Sequence, residues 1–326
     1  MSRPLRIQYP GAVYHVTCRG NERRDIFRDN EDRESFVEIL AGSRTIYNVR
    51  LYAWVLMENH FHLLLETPLG NLNEFMRRFN ITYTSFFNRR HQRVGHLYQG
   101  RYKSFLVEKE NYLSALSRYI HLNPVRTDDM KSKPAKEKMK SLLDYRWSTL
   151  PGYVTGESRW PGVDYELVLA DYGGDHPAGR RAYRRGIWED LTGEIDLKGN
   201  LVGGNVLGGE GFIQWVKEKF IKNLPARDYT GYKSLKHYKS REQVIDLLSI
   251  ETGLEWKQIK ASKGDLRRLA MELLYQVGGL TGEVIGSLLG VGYSTVSQER
   301  KRLRLKMIED KVLKKLFDRL MENVSK

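Results

Sequence analysis

Two strand-like runs set two residues apart constrain this chain more than any other feature. VRLYAWVLM (49–57) and HFHLLLETP (60–68) are rich in aliphatic and aromatic residues, and only Glu58-Asn59 joins them. Runs of that composition across so tight a connection fold back on each other as a β-hairpin. Along a strand, residues two apart face the same side. His60 and His62 therefore project together, with Phe61 on the opposite face toward a core. Two imidazoles so placed are either structural, each satisfied by a backbone partner, or a pair able to share one divalent ion. Spacing alone leaves both readings open.

The flanking segments set the hairpin in a larger pattern. AVYHVTCR (12–19) reads as a strand and DRESFVEILAGSRTIYN (32–48) as an amphipathic helix. LNEFMRRFNITYTSFFNRRH (72–91) has helical apolar spacing on one face and Arg on the other. YKSFLVEK (102–109) is a short strand, and NYLSALSRYIHLNP (111–124) is a helix that Pro124 ends. The order β-α-β-β-α-β-α predicts an α+β domain over residues 1–130, an antiparallel sheet with helices on one face. Residues 131–235 open with Lys-rich KSKPAKEKMK and later carry GNLVGGNVLGGEG, which reads as extension and linker with short helices. Trp147, Trp160, Trp188 and Trp215 in that zone read as packing residues. Residues 236–326 are helical throughout, an all-α domain.

Charge narrows the partner. The 326 residues carry a formal net charge of +14, with a pI near 9.6. That excess points to a polyanion, most simply nucleic acid, with a membrane surface second. No run of about 18 apolar residues exists to span a bilayer. MSRPLRIQYPGAVYHV has no apolar core of a secretion signal, and Cys18 is the single cysteine. Both fit a cytoplasmic protein.

Tyr119 and Asn123 lie four apart, on one face of the helix that ends at Pro124. If that helix packs beside the hairpin, His60, His62 and the Asn123 amide oxygen supply three ligands with open positions. Such a mixed N/O set suits Mg²⁺ or Mn²⁺, and no cysteine cluster exists for a closed zinc site. Tyr119 would then attack a metal-polarised phosphate, leaving a phosphotyrosine link and a free hydroxyl. The competing reading of Tyr119 is a packed helix aromatic, one of 19 tyrosines, with Tyr83, Tyr98, Tyr102 and Tyr112 nearby.

On these residues the sequence resembles the HUH single-tyrosine transposases, and within them the REP-associated tyrosine transposases. YHVTCRGNERRDIF (14–27), WVLMENHFHLLLE (54–66), GHLYQGRYKS (95–104) and RYIHLNPVR (118–126) carry the resemblance, which covers residues 5–150. The Tyr follows the His pair, as in transposases and Rep-type nickases. The resemblance implies a ferredoxin- or RRM-like HUH domain, with Tyr119 as nucleophile and His60, His62 and Asn123 as metal ligands. It implies action on single-stranded DNA beside hairpins, use of Mg²⁺ or Mn²⁺, and often a homodimer.

Candidate DNA contacts on this domain are Arg77, Arg78, Arg89, Arg90, Arg101 and Lys103, interleaved with aromatics that could stack bases. The competing reading is a solvated cationic helix face over buried Phe75, Phe79, Phe86 and Phe87. Near the C-terminus, LTGEVIGSLLGVGYSTVSQERKRLRLK (280–306) reads as helix-turn-helix, with its turn at Gly290-Val291-Gly292. Ser294, Thr295, Ser297 and Gln298 would face base edges of duplex or hairpin DNA, and Arg300, Lys301, Arg302 and Arg304 would face phosphates. The segment resembles the DNA-binding domain of the replication initiator DnaA. It departs from that pattern at Gly292-Tyr293, where Asp-His is usual, and the chain has no GxxxxGK[ST] loop. Two rivals to a strand-transfer enzyme stand beside it: a non-catalytic DNA-binding regulator on an HUH scaffold, and an RNA-binding sheet.

Overall fold

The computed structural model describes residues 3–4, 6–157, 159–193, 201–202, 205–222, 229–230, 235, 238–280 and 282–324. The chain divides into two compact units, Arg6–Ile195 and a second comprising Met1–Leu5 and Asp196–Lys326. Among the described residues no helix is long and apolar enough to cross a membrane.

The first unit is built on the hairpin. Strand β1 (Ala12–Arg19) is followed by α1 (Asn30–Ile46), β2 (Arg50–Met57), β3 (His60–Thr67), α2 (Leu72–Arg90), β4 (Lys103–Val107) and α3 (Lys109–His121). The strands form an antiparallel sheet in the order β2-β3-β1-β4, the ferredoxin-like arrangement. Alternation along β3 does what its sequence demands. Phe61, Leu63 and Leu65 are fully buried, and Phe61 meets Phe36 of α1 and Phe79 of α2 at ring distances of 4.9 and 6.0 Å. Phe75, Phe79, Tyr83 and Phe87 of α2 are buried in the same core, so the packing reading of these aromatics holds. Asp29 caps α1 by accepting from the Asp32 N–H at 3.0 Å. Helix α3 crosses the other side of the sheet, against β2 and β3. It ends at His121, and Asn123–Val125 continue as one tight turn around Pro124.

The expected boundary near residue 130 falls inside this unit. The segment after α3 is not a linker: it closes the open edge of the sheet. The Leu56 N–H donates to Trp147 O at 2.9 Å, and the Thr149 N–H to Trp54 O at 3.1 Å. An edge strand left bare is a site for unwanted pairing, and here residues 147–149 cover it. Helices α4 (Ala135–Asp144), α5 (Leu150–Val154), α6 (Glu166–Ala170) and α7 (Pro177–Thr192) follow. Tyr183 of α7 shares hydrogen bonds of 2.8 Å with both Ser117 and His121 of α3. Trp147 is buried and stacks on Trp160, as expected of packing residues. Trp215, 37% exposed, stacks on Phe212, while Trp188 departs from that reading with 41% exposure.

The second unit is mainly helical. Helices α8 (Arg241–Thr252), α9 (Trp256–Ala261), α10 (Asp265–Gln276), α11 (Gly282–Leu289), α12 (Tyr293–Glu309) and α13 (Lys311–Val324) surround one core, which includes Leu248, Leu269, Leu273, Ile285, Val296 and Leu303. Gly290, at φ +68°, ends α11 in the left-handed conformation that glycine adopts without strain. Only two residues, Val291 and Gly292, separate it from α12.

Candidate active site

The register of β3 on β1 decides what surrounds the two histidines. His62 lies opposite Thr17, and His60 opposite Arg19. Two residues along β1 on the same face is His15, diagonal to His62 and within reach of it. The His15 Nε2 and His62 Nδ1 atoms are 2.8 Å apart, and the rings stack at 5.0 Å. His15 also meets the Tyr119 ring edge-on at 6.3 Å. The tyrosine of α3 therefore stands over the same sheet face as the histidine pair, one ring away from His62. His60 and His62 are themselves 5.2 Å apart between ring centres.

The hydrogen bonds leave defined atoms for a ligand. His60 Nδ1 is 2.7 Å from Asn59 Oδ1, which can only accept, so Nδ1 carries the proton and Nε2 keeps its lone pair. With His62 Nδ1 held by His15, Nε2 is again the remaining ring nitrogen. Asn123 Nδ2 donates to Tyr119 O and Ile120 O at 3.2 and 2.9 Å, which fixes the amide and turns Oδ1 away from the helix. Burial keeps the imidazoles neutral. It pushes His60 down to about 4, with Arg19 adding to the shift. It pushes His15 down to about 4 as well. His62 is held well below its ordinary value by burial, then by His15 and His60. Neutral imidazole is the metal-binding form. Two such nitrogens and one amide oxygen are a donor set that a divalent ion of intermediate hardness accepts. Among the described residues, no group of three His, Cys, Asp or Glu side chains is placed to hold a metal ion.

Cations border this face. Arg126 lies 4.2 Å over the Tyr119 ring. Lys103 pairs with Thr17 across β4, in the same rung as His62, and Arg19 shares its rung with His60. Sequence reasoning named His60, His62, Tyr119, Asn123 and Lys103 as candidates; the fold places His15, Arg19, Asn59 and Arg126 beside them, which it did not name. His15 and Arg19 stood inside AVYHVTCR; the register that places them beside His62 and His60 is a long-range property that no local pattern carries.

The remaining candidate contacts divide. Arg77 and Arg101 line a groove of about 880 Å³ with Asn80 and Tyr98, whose Oδ1 and hydroxyl are buried without hydrogen-bond partners. Arg78 and Arg89 are exposed on α2. Arg90 is not available to phosphate. Its guanidinium bonds Asp29 and Glu31 at 2.7 Å and the fully buried Asp32 at 2.6 Å, and so joins α2 to the start of α1. Arg300 is a second correction. It is buried, bonds the fully buried Glu272 at 2.8 Å, and lies 3.3 Å over the Tyr275 ring. Its position on the inner side of α12 puts it in the core. Ser294, Thr295, Ser297, Gln298, Lys301, Arg302 and Arg304 are exposed on the same helix.

Residues 8–123 match the family model described as "Transposase IS200 like". Among solved structures, a REP-associated tyrosine transposase bound to a REP hairpin is similar at 16% identity and a TM-score of 0.38, over 51% of this chain and 93% of that one. A proposed transposase from Deinococcus radiodurans R1 is similar at 21% identity and a TM-score of 0.27, over 37% of this chain and 95% of that one. No curated protein matches the chain.

Proposed function

We propose, from the premise that residues 8–123 belong to the IS200-like transposase family, that this protein cleaves and rejoins single-stranded DNA through Tyr119. The observation that carries the reading is the shared face: His60, His62 and Tyr119 project onto one side of the sheet, with His15 between His62 and the tyrosine. His60 Nε2, His62 Nε2 and Asn123 Oδ1 would hold Mg²⁺ or Mn²⁺. When bound, that ion would polarise the scissile phosphate and offset its developing charge.

The chain's own residues account for the rest. Lys103 and Arg19 flank the histidines and attract the DNA backbone to this face. The Tyr119 Oη attacks phosphorus, an Oη–P bond forms, and the P–O bond to the leaving strand breaks. The phenolic proton passes to solvent, and the leaving oxygen takes one to become a hydroxyl. Arg126, over the Tyr119 ring, adds positive charge beside the reacting phosphate. The phosphotyrosine ester conserves the bond, so a second strand's hydroxyl can reverse the step and join. Hairpin substrates and a dimer follow from the same family reading. In the second unit, the exposed Ser294, Thr295, Ser297 and Gln298 at the start of α12 support base contact with duplex DNA, with Lys301 and Arg302 toward phosphates.

The test is a labelled pool of single-stranded hairpins with Mn²⁺, resolved under denaturing conditions. The expected result is a covalent protein–DNA band that Tyr119→Phe abolishes, that His62→Ala reduces at least about a hundredfold, and that chelator prevents. A Tyr119→Phe protein that still forms the band would refute the assignment. Binding without a band from any DNA would favour the regulator.

A further inference from the structure

Helices α4 and α7 face each other across a groove of about 530 Å³ in the Arg6–Ile195 unit, beyond the stretch that matches the family. Its lining is unusual for facing helices. On α7 it presents Arg181, Arg184, Arg185 and Trp188, the i, i+3, i+4, i+7 spacing that ordinarily carries an apolar packing stripe. On α4 it presents Lys136 and Lys140, with Met139 and Leu143 at its floor. Five cations thus line the groove against one carboxylate, Asp144. The opposite side of α7 has the apolar packing expected of it: Tyr183 and Ile187 are fully buried. The cationic stripe is therefore an outward face in its own right. Two nearby carboxylates are engaged with other arginines, Asp175 with Arg159 and Arg180, and Asp190 with Arg118; Glu189 of α7 is exposed. Trp188 is 41% exposed at the groove.

We propose that this groove binds single-stranded DNA, with Arg181, Arg184, Arg185, Lys136 and Lys140 along the phosphates and Trp188 stacked on a base. A flat aromatic beside a row of cations is what unpaired strands need, because every unstacked base offers a π face. A duplex would offer its phosphates to the cations but no base face to Trp188. The groove is also tied to the tyrosine. Arg118 Nε, adjacent in sequence to Tyr119, bonds Asp190 Oδ2 of α7 at 2.5 Å, and Gly186 leaves room for the Arg118 side chain. A strand held along α7 is thereby held by the helix that buttresses α3. The proposal extends the strand-transfer reading, which supplies the DNA substrate, but it needs none of the Tyr119 chemistry.

The test uses full-length Tyr119→Phe protein, so that binding is read without cleavage. A fluorescent unstructured oligonucleotide and a blunt duplex of equal length are titrated across salt concentrations. The combined Arg181→Ala, Arg184→Ala and Arg185→Ala changes should weaken single-strand binding about tenfold or more and flatten the log K against log salt slope by about 2. Trp188→Ala should weaken it about fivefold or more, and Trp188→Phe should retain most of the binding. Unchanged affinity and slope in the triple variant would overturn the proposal; so would a loss confined to the duplex. If the triple variant melts early, single Arg184→Gln and Lys140→Gln changes at these exposed positions must each flatten the slope by about 0.7. Adduct formation by protein with Tyr119 intact is measured separately, so a failed groove and a failed tyrosine assignment give different results.

Discussion

Around Tyr119 the candidate groups arrive from separate places in the chain: His15 and Arg19 from β1, His60 and His62 from β3, Arg126 from beyond α3. On α12 the candidate contacts Ser294, Thr295, Ser297 and Gln298 come from the first turns of one helix, and all are exposed. The first arrangement exists only when the sheet is folded in register. The second exists whenever α12 is helical. Assembly by the sheet also dries the site, which is why burial can hold His60 neutral down to about 4. Such desolvation is what lets a few groups do chemistry. The face of α12 remains in water, where side chains can recognise a partner but are not retuned by their surroundings.

That contrast breaks first inside α12 itself. Arg300 stands next to exposed Lys301 in sequence yet is bonded to Glu272, which is fully buried. Glu272→Ala should leave a guanidinium buried without its partner and cost about 3–5 kcal/mol. Urea unfolding followed by circular dichroism reads this as a lower midpoint. Lys301→Ala, one residue along, should stay within about 0.5 kcal/mol of wild type. Equal midpoints for the two variants would mean that Arg300 belongs with the surface set after all.

A second test compares two kinds of buried histidine within the first unit. His121 is fully buried, with Nδ1 at 2.8 Å from the Tyr183 hydroxyl and Nε2 at 2.7 Å from Thr149 Oγ1. Burial pushes it down to about 3 from 6.5. Its folded pKa lies below the unfolded one, so between those values the unfolded chain binds more protons. Stability should therefore fall as pH drops from about 6.5, at up to about 1.4 kcal/mol per pH unit for this group. Urea midpoints measured from pH 7 to pH 4 should show the decline, and His121→Gln should flatten it. His15, His60 and His62 pull in the same direction, so the variant should retain part of the slope. A pH dependence unaffected by the variant would place the sensitivity in the tyrosine site alone.

How legible these regions were follows from how far apart their parts lie. The hairpin, its shared His60 and His62 face, and the stop at Pro124 are written in neighbouring residues, and the elements formed where periodicity placed them. The βαββαβ order was enough to give the antiparallel sheet. His15 and Arg126 were not legible, because their roles depend on which residues the fold brings opposite one another. Arg90 and Arg300 were misread for a related reason. A basic residue in a basic segment looks solvent-facing until the buried Asp32 or Glu272 that claims it is known. Residues 131–192 looked like a linker because their structure depends on pairing with the β2 edge at Trp147 and Thr149, not on a period of their own. Trp188 was read as a packing residue; only its place on α7 shows it 41% exposed.

The smallest expected effect separates two cations one residue apart. Lys301 is exposed on α12. Arg302 is exposed too, but its guanidinium is paired with Glu299, which also accepts from Arg268 at 2.6 Å. A phosphate reaching Arg302 must displace a carboxylate that is already well placed, so part of the favourable charge is cancelled before binding. A phosphate reaching Lys301 displaces only water and counterions. Duplex affinity measured against salt should therefore lose about 0.9 from its slope in Lys301→Ala, the value for one released counterion on duplex DNA. Arg302→Ala should lose less, and Glu299→Gln should steepen the slope by freeing Arg302 for the backbone. Equal losses for the two cations would show that Glu299 yields to DNA at no cost, and that the outer face of α12 acts as one uniform patch of charge. If neither change moves the slope, α12 does not lie against the DNA backbone, and the contrast between the two units reduces to one between an active site and a packing module.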